Sequence, residues 1–429
     1  EDTIELEKFL PTDLLVTAPD IIFFWVARMI MASLKFKNEI PFKDVYYTST
    51  IRDGLGRKFS KSLGNSPDPL NIIDKFGTDA VRFTTIFLSP LGQDVRMDVD
   101  IVAQDIPSME IGRNFANKVW NAGRFLLMKY DMAKIPDCCP ANQDKVLSEQ
   151  DLSFADKWIL SRYNTTIKNA QYALDNYKVN DYSKILYDFI WRDFCDWYVE
   201  IVKVQFKEND STGYNLALMK YCIDLYEGIL KLLHPVMPFI TEEIWHLLAD
   251  RSEDISISTQ EYPSVNEDLI NKELETEFEF MQMIVEEIRR IRSNINIPPQ
   301  KKVPISISCK NEYDETFFEN QKRIIEVLAK CSDVNVSING VKPEKCLASV
   351  VRETQVYLML TEDIDLDKEK ERLNKEIARL ERNINTTQSK LSNEKFVANA
   401  PEDVVFYERE KLQSMIVSLE KVKENLSSL

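Results

Sequence analysis

Leu366, Leu373 and Leu380 recur every seven residues, and Ile377, Ile384 and Leu391 recur at the same interval, offset by four. That pattern keeps one apolar seam along an α-helix; a strand would scatter the same side chains over both faces. After Asn399-Ala400-Pro401-Glu402-Asp403, a helix-start signal, a second seam runs through Val405, Leu412, Leu419 and Leu426, with Met415 and Val422. Two seamed helices joined by a short turn predict an antiparallel hairpin over residues 362–429. Each arm of about 25 residues would reach roughly 40 Å. An intermolecular dimerisation coiled coil and an arm folded on itself both satisfy the pattern.

The rest of the chain is read around that hairpin. Residues 14–17 suit a short buried strand. Pro19-Asp20 opens a helix through about Leu34, and Val45–Ile51 suits a second strand because β-branched and aromatic residues dominate it. Helices are expected over Pro69–Phe76 and Thr78–Leu88, which gives a partial parallel α/β segment over 1–105. From 106 to 265 the periodicity is helical almost throughout, over 108–129, 151–175, 181–207, 213–233 and 239–250, with short polar connections as in a helix bundle. A long helix over 268–295 ends at Pro298-Pro299. Strands at 303–308, 334–338, 348–351 and 355–360 and a helix at 316–331 make a small α/β module, so 266–361 forms a third segment. The fold class is multidomain and mainly α, and 429 residues accommodate such a division.

Charge limits the function classes. The net charge is −16, and none of the four segments is basic overall, so nucleic-acid binding needs a local cationic surface. The longest apolar run, Ile21–Met31, carries Arg28 and is too short for a membrane span. Seven Cys without a C-x-x-C and only two His argue against zinc, and scattered thiols suit a reducing cytosol. His234 and His246 read as structural. The start, Glu1-Asp2-Thr3-Ile4, reads as a cut within a longer protein.

Chemistry concentrates in Arg57-Lys58-Phe59-Ser60-Lys61-Ser62-Leu63-Gly64-Asn65, between a strand and a helix. Mobile backbone, two ammonium groups and hydroxyl donors suit developing charge on polyphosphate, although the spacing is not that of a Walker loop. As composition alone, a solvated flexible loop is the better reading. Lys58-Phe59-Ser60-Lys61-Ser62 resembles the KMSKS signature of class I aminoacyl-tRNA synthetases, with Phe59 in place of Met. Thr50-Ile51-Arg52-Asp53 before it, Gly64-Asn65 and Asp68-Pro69 after it, and Gly77-Thr78-Asp79-Ala80-Val81-Arg82 are similar too. So are Asp20–Met29, Gly112–Asn121 and His234–Trp245. The segment Phe396–Val405, inside the seamed hairpin, resembles the terminal arm of the valyl enzymes. The family's HIGH signature and inserted editing domain are missing, so the resemblance is to a C-terminal half. The family's Gly two residues before Asp20 is Ala18 here.

The resemblance implies ATP-dependent activation of valine and its transfer to tRNA(Val), with Mg2+ expected from the family and no zinc. Lys58, Ser60, Lys61 and Ser62 would be catalytic, Lys61 also binding ATP, and Phe59 an apolar anchor for the loop. Asp20 would lie near the aminoacyl-adenylate, with helix capping as the plain reading. Ile21 and Trp25 would line the valine pocket, with ordinary core packing the alternative. An apolar pocket cannot strongly reject isosteric threonine, so a chain without the editing domain would not proofread, and the isolated fragment is expected to be inactive. Residues 106–265 would be the anticodon-binding bundle. Within it Arg113, Asn117, Trp120 and Arg124 form a stripe opposite the apolar Phe115, Val119, Ala122 and Leu126. The polar stripe suits either RNA or packing between domains. On the arm, eight basic residues between Lys368 and Lys395 outnumber five acidic ones. Lys368, Arg372, Lys375, Arg379 and Arg382 are the tRNA-binding candidates there. A monomeric cytoplasmic protein is expected, and the segment over 1–105 is expected to expose apolar surface. An isoleucyl-type fragment and a non-catalytic tRNA-binding scaffold are the alternatives.

Overall fold

A computed structural model describes residues 3–134, 145–207, 210, 212–360, 366–392 and 402–427. Over the described residues the chain is mainly helical with three small sheets, and it divides into two compact units, Glu1–Glu275 and Thr276–Leu429.

The first unit opens with helix α1 (Ile4–Phe9), strand β1 (Thr12–Thr17) and helix α2 (Ala27–Lys37), and strand β2 (Phe42–Tyr47) follows. β1 and β2 pair in parallel, Leu15 opposite Val45. The helix expected from Pro19 is wound in three ways: a 3-10 turn Pro19–Ile21, a π segment Ile22–Val26, then α2. The break falls at Ile21, whose φ −111°, ψ 16° is not helical, so Ile21 and Trp25 do not share an α-helical face. Around this ribbon Val16, Phe23, Phe24, Trp25, Met31 and Phe36 are exposed. The single strand expected over Val45–Ile51 is two. After β2 the chain leaves the first sheet, and β3 (Ile51–Arg52) pairs with β4 (Val95–Arg96). Ser49 and Thr50 make the switch, bonding to Pro90 O and Asp94 Oδ1.

Between β3 and β4 lie α3 (Pro69–Phe76) and α4 (Thr78–Phe87). Asp68 caps α3 through the Leu70 amide, and Gly77 joins the two helices at φ 92°, a conformation that glycine adopts without a Cβ clash. Ile72, Phe76, Ala80, Val95 and Met97 form a small core, with Ile106 and Met109 beside them.

The bundle follows: α5 (Glu110–Ala133), α6 (Phe154–Asp175), α7 (Val179–Tyr187), α8 (Val199–Gln205), α9 (Tyr214–Leu233) and α10 (Pro238–Leu248). A capping box of Ser153 and Asp156 starts α6. The continuous helix expected over 181–207 contains a π segment, Asp188–Tyr198. Its wider winding lets Asp193 reach Arg162 Nε (2.9 Å) while Tyr198 Oη donates to Asp156 Oδ1 (2.8 Å). As expected, Phe115, Val119, Ala122 and Leu126 of α5 are buried. His234 and His246 make local bonds, to Thr241 Oγ1 (2.8 Å) and Glu242 Oε1 (3.1 Å).

Helix α11 (Lys272–Asn294) leads into the second unit. There β5 (Val303–Cys309), α12 (Glu312–Ala329), β6 (Cys331–Ile338), β7 (Cys346–Val351) and β8 (Thr354–Met359) build a four-stranded sheet in the order β6-β5-β8-β7. β5 runs parallel to β6 and antiparallel to β8. Helices α13 (Leu366–Leu391) and α14 (Glu402–Ser427) close the chain. Lys390 pairs with Glu408 and Glu381 with Lys423, so the two helices run in opposite directions. Leu373, Leu380, Ile384 and Thr387 of α13 are buried.

Candidate active-site loop and RNA-facing helices

The lysine-serine loop hangs from β3 on a buried polar platform. Asp53 and Asn65, at the two ends of the loop, are 7% and 6% exposed, and Asn65 Nδ2 donates to Asp53 Oδ2 (2.9 Å). Asn65 also donates to Lys58 O (3.2 Å) and accepts from Ser60 N (2.9 Å). Asp53 accepts further from the Leu55 amide, the Arg57 amide and Arg57 Nε. One amide and one carboxylate therefore set the path of the chain from 53 to 65. The Asn65 hydrogen bond, followed by those from Arg57, holds the Asp53 carboxyl at about 2, against the opposing effect of burial.

On this platform Lys58 lies opposite Arg52 in an antiparallel bridge. Its Nζ donates to Asp20 Oδ2 at 2.5 Å, and that bond holds the Asp20 carboxyl below its usual range. Asp20 is not a helix cap; the cap position is Ala18, and the Asp20 side chain crosses to the loop instead. Ser60 Oγ and Ser62 Oγ are 2.7 Å apart, so both hydroxyls stand on one side of the turn. Lys61 is exposed within it, and among the described residues nothing bonds its ammonium. Phe59 packs against the core around Ile72 and Phe76, as an apolar anchor should. Ile21 is half-buried and Trp25 is 58% exposed, so the described residues do not enclose them in a pocket. Cations and hydroxyls suit phosphate oxygens. Among the described residues no group of three or more His, Cys, Asp or Glu could hold a metal ion.

The sequence motifs that follow the loop meet in space. Asp79, buried at the start of α4, accepts from the Ile240 amide (2.6 Å) and the Phe239 amide (3.4 Å) at the start of α10. Arg82 donates to Val236 O and Pro235 O. Burial raises the Asp79 pKa, against those amide bonds. Gly112 lets α5 touch α4: a Cβ there would stand 2.3 Å from Ala80 O and 2.6 Å from Thr84 Oγ1. In the sequence Asp53, Asn65, Asp79 and Arg82 stand only as parts of motifs, and no pattern there singles them out.

Of the stripe on α5, Asn117, Trp120 and Arg124 are exposed. Arg113 is half-buried, paired with Glu110 (2.7 Å) and lying over the Phe76 ring. On α13, Lys375, Arg379 and Arg382 are exposed on the side away from the buried leucines. Lys375 pairs with Glu371, Arg379 with Glu376, and Arg382 Nε donates to Ala378 O. The side chains of Lys368 and Arg372 lie outside the described residues, as do residues 393–401 between the two seams.

Three family models match. Residues 1–98 fit tRNA synthetases class I (I, L, M and V), 156–307 the anticodon-binding domain of tRNA ligase, and 365–429 the valyl tRNA synthetase tRNA binding arm. A valine–tRNA ligase of Chlorobaculum tepidum is 42% identical over the whole of this chain and 47% of its own. Those of Petrotoga mobilis and Syntrophotalea carbinolica are 39% and 38% identical, again over the whole chain and 46% of theirs. The chain belongs to the valine–tRNA ligase family. It spans about half the length of these relatives. Among solved structures, Mycobacterium tuberculosis methionyl-tRNA synthetase in complex with methionyl-adenylate aligns with TM-score 0.46 at 20% identity, over 60% of this chain and 48% of that one. Membership in the valine–tRNA ligase family accounts for the order of the matched segments: loop, bundle, then arm.

Proposed function

We propose that this chain is the C-terminal half of a valine–tRNA ligase, which activates valine with ATP and transfers it to tRNA(Val). The observation that carries the reading is the Lys58–Ser62 loop on its Asp53–Asn65 platform, in a chain 42% identical along its whole length to a valine–tRNA ligase. The four parts are the end of the catalytic domain (1–105), the anticodon-binding bundle (106–265), the helix with its α/β module (266–361) and the coiled-coil arm (362–429). The exposed apolar side chains around β1 and β2 are where the remainder of the catalytic sheet packs. A parallel ribbon ordinarily has both faces covered.

When valyl-adenylate forms, negative charge grows on the departing pyrophosphate. Lys61 and, to a lesser degree, Lys58 neutralise it, and Ser60 and Ser62 donate hydrogen bonds. Mg2+ bound with ATP would supply further charge neutralisation at the same phosphates. Asp20 lies beside the adenylate site, and Ile21 and Trp25 line the valine pocket once the rest of the domain closes over them. The exposed side of α5 and the outward cations of α13 meet tRNA. The test is valine-dependent ATP–pyrophosphate exchange by the full-length enzyme. Lys61→Ala should lower the rate by orders of magnitude with a smaller change in ATP affinity; exchange at the wild-type rate overturns the assignment.

A further inference from the structure

The two lysines of the loop are held differently. Lys61 sits in an exposed turn. Lys58 is fixed at its backbone by the bridge to Arg52 and by the Asn65 amide on its carbonyl, so only its side chain is free to travel. That side chain ends on Asp20, 38 residues earlier, in the turn that leads into the exposed aromatic run Phe23-Phe24-Trp25. The contact is short (2.5 Å), yet the two side chains are 53% and 52% exposed. A pair so open to solvent is weak and easily exchanged for a stronger anion. Asp20 is also spared from capping duty, which falls at Ala18.

We propose that Asp20 is a positioning residue for Lys58. Its carboxylate keeps the ammonium aimed at the site before nucleotide arrives, and polyphosphate oxygens then take the ammonium over. This rests on the assignment of the loop to ATP activation. The pair raises both kinetic constants, KM for ATP and kcat. Binding ATP must displace Asp20, which weakens ground-state affinity, whereas a lysine already in place spares reorganisation in the transition state.

The test is a double-mutant cycle on ATP–pyrophosphate exchange in the full-length enzyme, with Asp20→Asn, Lys58→Ala and both together. Asp20→Asn should lower KM for ATP about threefold and kcat about tenfold. In the Lys58→Ala background the same change should alter neither constant by more than about 1.5-fold. A raised KM in Asp20→Asn, or effects that multiply in the double variant, overturns the proposal. Lys61→Ala keeps the two questions apart: if it abolishes exchange while the cycle is additive, only the role of Asp20 fails; if it leaves exchange intact, the loop assignment itself fails. On the 429-residue chain, mass spectrometry should show Lys58 acetylated more slowly than Lys61, with the difference gone in Asp20→Asn. Equal rates in the parent chain count against the pair.

Discussion

Asp53 and Asn65 do more for the loop than any of its charged residues, and they do it by satisfying each other. A buried amide that bonds Asp53, Lys58 O and Ser60 N cannot be removed without leaving some of those groups unpaired. Asn65→Ala should therefore cost about 1–3 kcal/mol. It should also speed trypsin cleavage after Arg57, Lys58 and Lys61, measured by mass spectrometry against a urea-denaturation series. Acid should act through the partner. Because the folded state holds Asp53 at about 2, its stabilising contribution is complete above the ordinary carboxylate range and fades as pH falls toward 2. Pepsin digestion between pH 4 and 2 should find the loop progressively exposed, and Asp53→Asn should flatten that dependence. The lysines and serines were legible through the resemblance of Lys58–Ser62 to a known signature, because composition alone also describes a solvated loop. The platform was not, because its importance lies in burial, which one sequence does not display. Asp20 shows the same limit: its position after a proline fits a cap, and only the fold brings Lys58 to it.

Elements with a strong period were legible nearly to their ends: α5, α9, α11 and the strands of the four-stranded sheet fall where periodicity puts them. The exceptions are the two π segments and the strand that divides at Thr48–Thr50. In two of them a distant partner decides the local winding: Arg162 and Asp156 for Asp188–Tyr198, Pro90 and Asp94 for the divided strand. Helix contacts depend likewise on single positions. Gly112→Ala would drive a methyl into the Ala80 carbonyl, so α4 and α5 must separate. The expected loss is about 1–3 kcal/mol, read as a fall in the thermal midpoint. Gly123→Ala, which meets only the Ile244 and Tyr226 side chains, should cost less. The closing helices carry an element-scale expectation of their own. Leu380, buried on α13, should cost about 2–5 kcal/mol on truncation to alanine, seen as loss of far-UV ellipticity on mild heating.

At the scale of the molecule the net charge of −16 remains, and any RNA must be met by local cations. Arg379 and Arg382 are exposed on α13 opposite its buried seam. Replacing either with alanine should weaken tRNA binding similarly for all tRNAs and lower the salt slope by about 1. Filter binding between 50 and 200 mM salt checks it, and an unchanged slope removes that arginine from the interface. The overall class was legible because the seams and the bundle both carry a period that only helices satisfy. The bare flank beside them was foreseen only as apolar surface, without its strand pairing. That flank has a practical consequence. Among the described residues the two-stranded parallel ribbon offers two unpaired edges, and the aromatic side chains beside it lie exposed. Prepared alone, the chain should therefore behave as a different species at each dilution, its scattering mass climbing with protein concentration. Phe24→Lys or Phe36→Lys should blunt that climb, and any binding constant measured on the parent chain should be read at the lowest concentration that the signal allows.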